Sequence, residues 1–169
     1  MGLFYRIRGR GDHDDPGAGT ASDTPDEGGT GTMEAVDPVE SVGTRRLTPD
    51  EEASLERVRA TYAEHGIRPA DLASIAAAYD TALDRHDGGD EASAETVTVV
   101  GTAIGDHLVA AGGYRWVVST DPFGTDLAVE PPRRGVPVVP RMLVAVRWLA
   151  RDRDWLVGVT EHLVRLGRS

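Results

Sequence analysis

Apolar positions are sparse between Gly11 and Thr44 of this 169-residue chain, and from Leu47 onward they fall into two rhythms. The first is helical. Leu55, Val58 and Tyr62 recur at three- and four-residue steps. So do Leu72, Ile75, Ala76, Tyr79 and Leu83, and then Val97, Val100, Ile104 and Leu108. Residues so spaced share one side of a helix. Thr48-Pro49-Asp50-Glu51 reads as a helix start: Thr48 as N-cap, Pro49 at the first position and Glu51 completing a capping box. Gly66 ends this helix. A second follows Pro69 and breaks at Gly88-Gly89, with Arg85 and His86 in its last turn. A third runs from about Ala94 to Ala111 and stops at Gly112-Gly113. A fourth opens at Pro140, with Met142, Leu143, Val146, Leu149 and Ala150 turned inward. The last spans Trp155 to Leu166 on a stripe of Leu156, Val159, Leu163 and Leu166. Asp152-Arg153-Asp154 reads equally as a break or a continuation between these two.

The second rhythm has a period of two. Tyr114 to Glu130 holds two β-type runs around Asp121-Pro122-Phe123-Gly124, a turn in which Pro presets φ and Gly accepts positive φ. Pairing Thr120 with Thr125 sets Trp116 opposite Val129 and Val118 opposite Leu127 on an inner face. Val117 then meets Ala128, Ser119 meets Asp126 and Arg115 meets Glu130 on an outer face. Val136 to Val139 reads as a short third strand, placed at an edge by Pro137. The expected fold class is α+β: helices packed on a small antiparallel hairpin or three-stranded sheet. It occupies residues 47–169, behind a disordered tail over 1–46 whose Gly-, Asp-, Thr- and Pro-rich composition offers little to bury. Gly101 and Gly105 lie on one side of the third helix, where each costs about 1 kcal/mol against Ala. The expected compensation is the close approach of another backbone or a large ring, with Trp116 as the candidate.

Composition narrows the chemistry. There is no Cys, which excludes disulfides, thiolate metal sites and a thiol nucleophile. All 18 basic residues are Arg, so a Schiff-base lysine and a phosphate-loop lysine are excluded too. Asn and Gln are also missing, a pattern expected of codon bias in a GC-rich genome. The net charge of -10 makes nucleic acid an unlikely partner. The charge is uneven: residues 47–114 carry 4 Arg against 13 acidic residues, and residues 115–169 carry 9 Arg against 6. No apolar run is long enough to span a bilayer, and no signal-like segment opens the chain, so the expectation is a cytoplasmic protein without a membrane span.

Gly101-x-x-x-Gly105-Asp106-x-Leu108, Trp116-Val117-Val118, Asp121-x-x-Gly124-Thr125-Asp126-Leu127-Ala128-Val129, then Pro140, Val144 and Arg147 form a spaced set. Over about residues 97–149 this set resembles a bacterial family known only as a domain of unknown function, number 3806. The resemblance implies a helix, an antiparallel hairpin and a helix. It implies no activity, and it leaves the tail and the first two helices outside.

No H-E-x-x-H, G-x-S-x-G, G-x-G-x-x-G or Walker pattern is present. His107 follows Asp106, but neighbours on a helix point apart. His65, His86 and His162 sit near helix ends, where a cation suits the dipole. Asp121, Asp126 and Glu130 lack calcium-loop spacing, and Asp121 is expected to cap its own turn. No metal or cofactor is expected. Trp116 and Trp155 read as core, with Trp148 as the tryptophan turned to solvent. The leading expectation is a non-enzymatic binding or regulatory module acting through a protein partner at the hairpin tip, with Phe123 as anchor and Arg115 and Asp126 as polar rim. The alternative is a small hydrolase or ligand-binding enzyme, with Asp106, His107 and Asp126 between the third helix and the hairpin.

Overall fold

A computed structural model describes residues 43–86, 91–122, 124–133 and 135–169, with the backbone alone at 91–93. All lie in the second of two units, residues 37–169. The elements run β1 (Gly43–Arg45), α1 (Pro49–Arg59), α2 (Leu72–Arg85), α3 (Glu91–Gly112), β2 (Arg115–Asp121), β3 (Gly124–Glu130), α4 (Pro140–Leu149) and α5 (Trp155–Arg168). The class is α+β, and the described residues hold five helices and a three-stranded antiparallel sheet.

Local chemistry sets the boundaries. Thr48 accepts from the Glu51 amide while the Glu51 carboxylate accepts from the Thr48 amide, so the capping box is closed. Arg45 donates two hydrogen bonds to the same carboxylate. Those bonds, then the Thr48 amide, bring the Glu51 pKa down to about 2. α1 ends at Arg59, earlier than Gly66, and the chain continues through turns to Gly66 at φ +68°. Asp71 caps α2 by accepting from the Ala73 and Ser74 amides. The expected stop at Gly88-Gly89 lies outside the described residues. Between α4 and α5 the helix is broken, with Arg151 and Asp154 both at positive φ.

α3 is the centre. Every residue from Val99 to Gly105 is buried, so the middle of the helix is enclosed on all sides. It packs against α1, α2, α4, α5 and both hairpin strands. Its glycines permit this. A Cβ at Gly105 would lie 2.2 Å from Trp116 Cζ2, and one at Gly101 would lie 2.9 Å from the Arg141 Cα of α4. Ring and backbone thus fill the two notches, as the sequence reading requires.

The hairpin has the expected register, from Arg115 opposite Glu130 to Asp121 opposite Gly124. The Gly124 amide donates to Asp121 Oδ1 at 3.0 Å, which closes the turn. Several expectations need correction. The third strand is not Val136–Val139, which contributes only an isolated bridge from Val138 to Val129. It is β1, from the stretch assigned to the tail, and it pairs with β2 on the opposite edge. Residues 1–42 of the expected tail lie outside the described residues. The outer face is not solvated over its middle, since Val117, Ser119 and Ala128 are buried. A continuous Trp116-Val117-Val118 run is what a strand covered on both faces looks like. Finally, α4 is rotated. Pro140, Val144 and Trp148 face the core, while Met142, Val146, Leu149 and Ala150 face out. Trp148 is only 4% exposed and meets Tyr79 edge-on, as does Trp155. On α5, Leu156 is buried as expected, but Thr160 and Gly167 take core positions and Leu166 is exposed.

Candidate functional site

Asp106 sits on α3 one residue beyond the notch that receives Trp116. Its Oδ1 accepts from Trp116 Nε1 at 2.9 Å and from Arg59 Nη2 at 2.5 Å. Its Oδ2 accepts from Arg59 Nε and from the Tyr62 hydroxyl, both at 2.9 Å. Burial pushes the carboxyl pKa up, but the bonds from Arg59, Trp116 and Tyr62 outweigh it and hold the value below the ordinary one. Burial, then the Asp106 charge, raises the Tyr62 pKa, and the Asp106 bond raises that of Arg59. A carboxylate with two donors on each oxygen and a lowered pKa is a poor proton acceptor. It locks α1, α3 and β2 together.

His107 points elsewhere. Its Nδ1 lies 2.7 Å from the Pro69 carbonyl, which can only accept, so Nδ1 carries the proton. The ring lines a broad groove of about 870 Å³ together with Asp71 at the head of α2 and Glu161, Arg165 and Arg168 of α5. Arg168 also donates to the Ala111 carbonyl at 2.7 Å. Asp126 is exposed on β3 opposite Ser119. Asp106, His107 and Asp126 therefore do not converge, because each belongs to a different surface of the α3–hairpin pair. Among the described residues there is no cluster of three His, Cys, Asp or Glu able to hold a metal ion. No helix among them is long and apolar enough to cross a membrane.

Of the expected partner-binding set, Phe123 lies outside the described residues. Arg115 donates twice to Glu130 Oε2, at 2.8 and 2.5 Å, at the base of the hairpin. Asp121 is six positions further along β2, about 20 Å along a strand, so Arg115 does not border the tip. Asp126 is nearer the turn.

The surface that stands out is one the sequence reading turned inward. Met142 is 53% exposed, Val146 59% and Leu149 84%. At steps of four and three they form one stripe, diametrically opposite the buried Pro140, Val144 and Trp148. α4 is apolar almost all round, so periodicity alone did not fix which side is buried. The size and spacing of Val144 and Trp148 were the available signal. The Asp106 hub also went unread. Its signal was the indole: a Trp116 ring seated on Gly105 needs an acceptor for its N–H, and Asp106 is the next residue.

Two further grooves are polar. One, of about 710 Å³, lies between α1 and β2 and includes Arg46, Glu52, Arg59 and Arg115. The other, of about 460 Å³, runs along α2 past Glu64, His65 and Arg85. The second also holds Ser74 and Thr81, but the Ser74 hydroxyl is tied to the Arg68 and Asp71 backbone, and His65 faces Glu95 at 3.8 Å.

Comparison with known proteins gives one family. Residues 71–156, just over half of the chain, match the model of the family described as Domain of unknown function (DUF3806). The match is wider than the resemblance over 97–149 and takes in α2, while β1 and α1 lie outside it. No curated protein and no solved structure matches.

Proposed function

Because the chain belongs to the DUF3806 family, a membership that carries no activity with it, we propose its function from geometry: it is a non-enzymatic binding module that works through a protein partner. One observation carries this reading, the apolar outward face of α4. Scattered apolar residues on a surface mean little, but an aligned stripe on a helix marks a surface that another molecule covers. Met142, Val146 and Leu149 are such a stripe. α4 and its support on α3 both fall inside the family match. The hairpin tip, with Asp126 beside it, is a second contact region on this reading.

The test is comparative co-purification of the full chain and its Leu149→Ser variant from native cells. Leu149 is exposed enough that this change leaves the melting temperature unchanged. The expected result is a stoichiometric partner recovered with the wild type and depleted about tenfold with the variant. Equal recovery, or no partner with either, overturns the reading.

The enzymatic alternative does not rest on Asp106, His107 and Asp126, whose separation leaves no shared site. It rests on the groove that holds His107 with Glu161 and Arg165. That groove is broad and open, whereas sites for small substrates enclose most of the ligand. Unchanged turnover of every tested ester, phosphate and glycoside substrate on His107→Ala substitution separates the two.

A further inference from the structure

On the reading just given, the outward face of α4 is the docking surface, and we propose that its occupant is an acidic amphipathic helix of a partner protein. The shape comes first. Met142 and Leu149 stand seven positions apart with Val146 between them, about 10 Å at the helical rise. Anchors at such spacing are how one helix presents itself to the apolar face of another. The support is rigid. α4 closes onto α3 at Gly101, where the Arg141 Cα and Cγ stand 2.9 and 3.0 Å from the position a Cβ would take.

Charge chooses the partner. α4 carries Arg141 and Arg147 and no acidic residue, in a chain of net charge -10. Arg147 is engaged by Asp152 at 2.6 Å. Arg151 donates to the Leu83 and His86 carbonyls, and Arg153 to Asp84. Arg141 is exposed and forms no ion pair among the described residues. Its Cα and Cγ pack against Gly101 of α3, and it precedes Met142 at the N-terminal end of the stripe. The N-cap residue Val139 offers no side-chain acceptor, so the positive end of the helix dipole adds to Arg141. A carboxylate at the Met142 end and aliphatic side chains over Val146 and Leu149 complement this face in both charge and direction.

A second copy of the chain fits worse. α4 against α4 pairs two faces with arginines and no acid. An anionic membrane also fits worse, because three aliphatic side chains are a small insertion for a protein this acidic overall.

The experiment uses the full chain and a fluorescein-labelled synthetic peptide of about four helical turns, with Leu at helical i, i+4 and i+7 positions and Glu on both flanks. A matched peptide carries Lys for every Glu. Anisotropy is expected to show binding of the acidic peptide, at least about tenfold tighter than the basic one. Arg141→Glu is expected to reverse that preference, and Leu149→Ser to abolish binding of both, each at an unchanged melting temperature. Equal binding of the two peptides, or none, overturns the proposal. So does Leu149-dependent dimerisation in sedimentation velocity, which makes a second copy the occupant. Leu149-dependent binding to phosphatidylserine–phosphatidylcholine vesicles overturns it as well. If the acidic peptide fails while a co-purified protein is still lost on Leu149→Ser, this proposal falls and the binding-module reading stands.

Discussion

Replacing Asp106 by Asn leaves size and shape almost unchanged and removes the charge that holds four donors. The side chain then keeps one acceptor oxygen and sets an NH2 group against two of those donors. Either Arg59 Nη2 and Trp116 Nε1 or Arg59 Nε and the Tyr62 hydroxyl lose their acceptor. Arg59 also keeps its charge without its main counter-charge, with only Glu56 left at 2.7 Å. Breaking a fully buried pair by removing one partner costs about 3–5 kcal/mol. Here the side chains remain 14% exposed for Asp106 and 29% for Arg59, so water recovers part of that loss. About 3 kcal/mol is the expected destabilisation after that discount. In urea this lowers the midpoint by about 1.5–2 M with an unchanged slope. Removing both charges with Arg59→Met and Asp106→Asn should cost less than the two single changes summed.

The pH dependence supplies a second check. The folded-state pKa of Asp106 is lowered, so its contribution is fully present above the ordinary carboxylate value of about 3.9 and is lost as pH falls through the folded value. The stability gap between wild type and Asp106→Asn should therefore be widest near neutral pH and narrow in acid. A gap below about 0.5 kcal/mol at neutral pH, or one that widens in acid, refutes the hub.

Other substitutions test the surrounding contacts. Gly105→Ala places a Cβ 2.2 Å from the Trp116 ring, so thermal melting should show a loss of about 1–3 kcal/mol despite the better helix former; a gain would mean the ring has room to move. The Arg115–Glu130 pair is mostly exposed on the arginine side, so a double-mutant cycle should return about 0.2–1 kcal/mol, shrinking with salt, and a larger or salt-insensitive value would contradict that exposure. Thr48→Ala removes the acceptor for the Glu51 amide and should lower stability by about 1 kcal/mol in urea titration, with no effect expected only if the capping box is not formed in solution.

What was legible in the sequence is what local chemistry decides. Thr48, Pro49 and Glu51 announce a helix start because the capping box needs only residues within one turn. The hairpin register followed from alternation and from one turn whose residues permit a single geometry. The notches at Gly101 and Gly105 could be read because a costly glycine inside a helix implies a neighbour. Long-range facts were not written locally. A run of apolar residues in β2 did not say that both faces were covered. β1 is three residues long and recruited from a polar stretch, so its pairing depends on β2 being in place. On α4, apolar residues at nearly every angle left the rotation open, and the volume of Trp148 decided it. The Asp106 hub joins Arg59, Tyr62 and Trp116 across up to 47 positions, a conjunction that no window of sequence contains.

The enclosure of α3 has a consequence for how the chain reaches this state. A helix buried from Val99 through Gly105 on every side has no solvent-facing half to stabilise it alone. Its partners arrive from α1 and α2 on the N-terminal side and from the hairpin, α4 and α5 on the other. Arg168, near the last residue, reaches back to the Ala111 carbonyl at its end. The helix is therefore complete only when both flanks have closed over it, which ties its survival to the cooperativity of the whole domain. Amides in the middle of α3 should exchange with deuterium only through global opening, at the slowest rate in the molecule, while those of α4's outer turns exchange by local fraying.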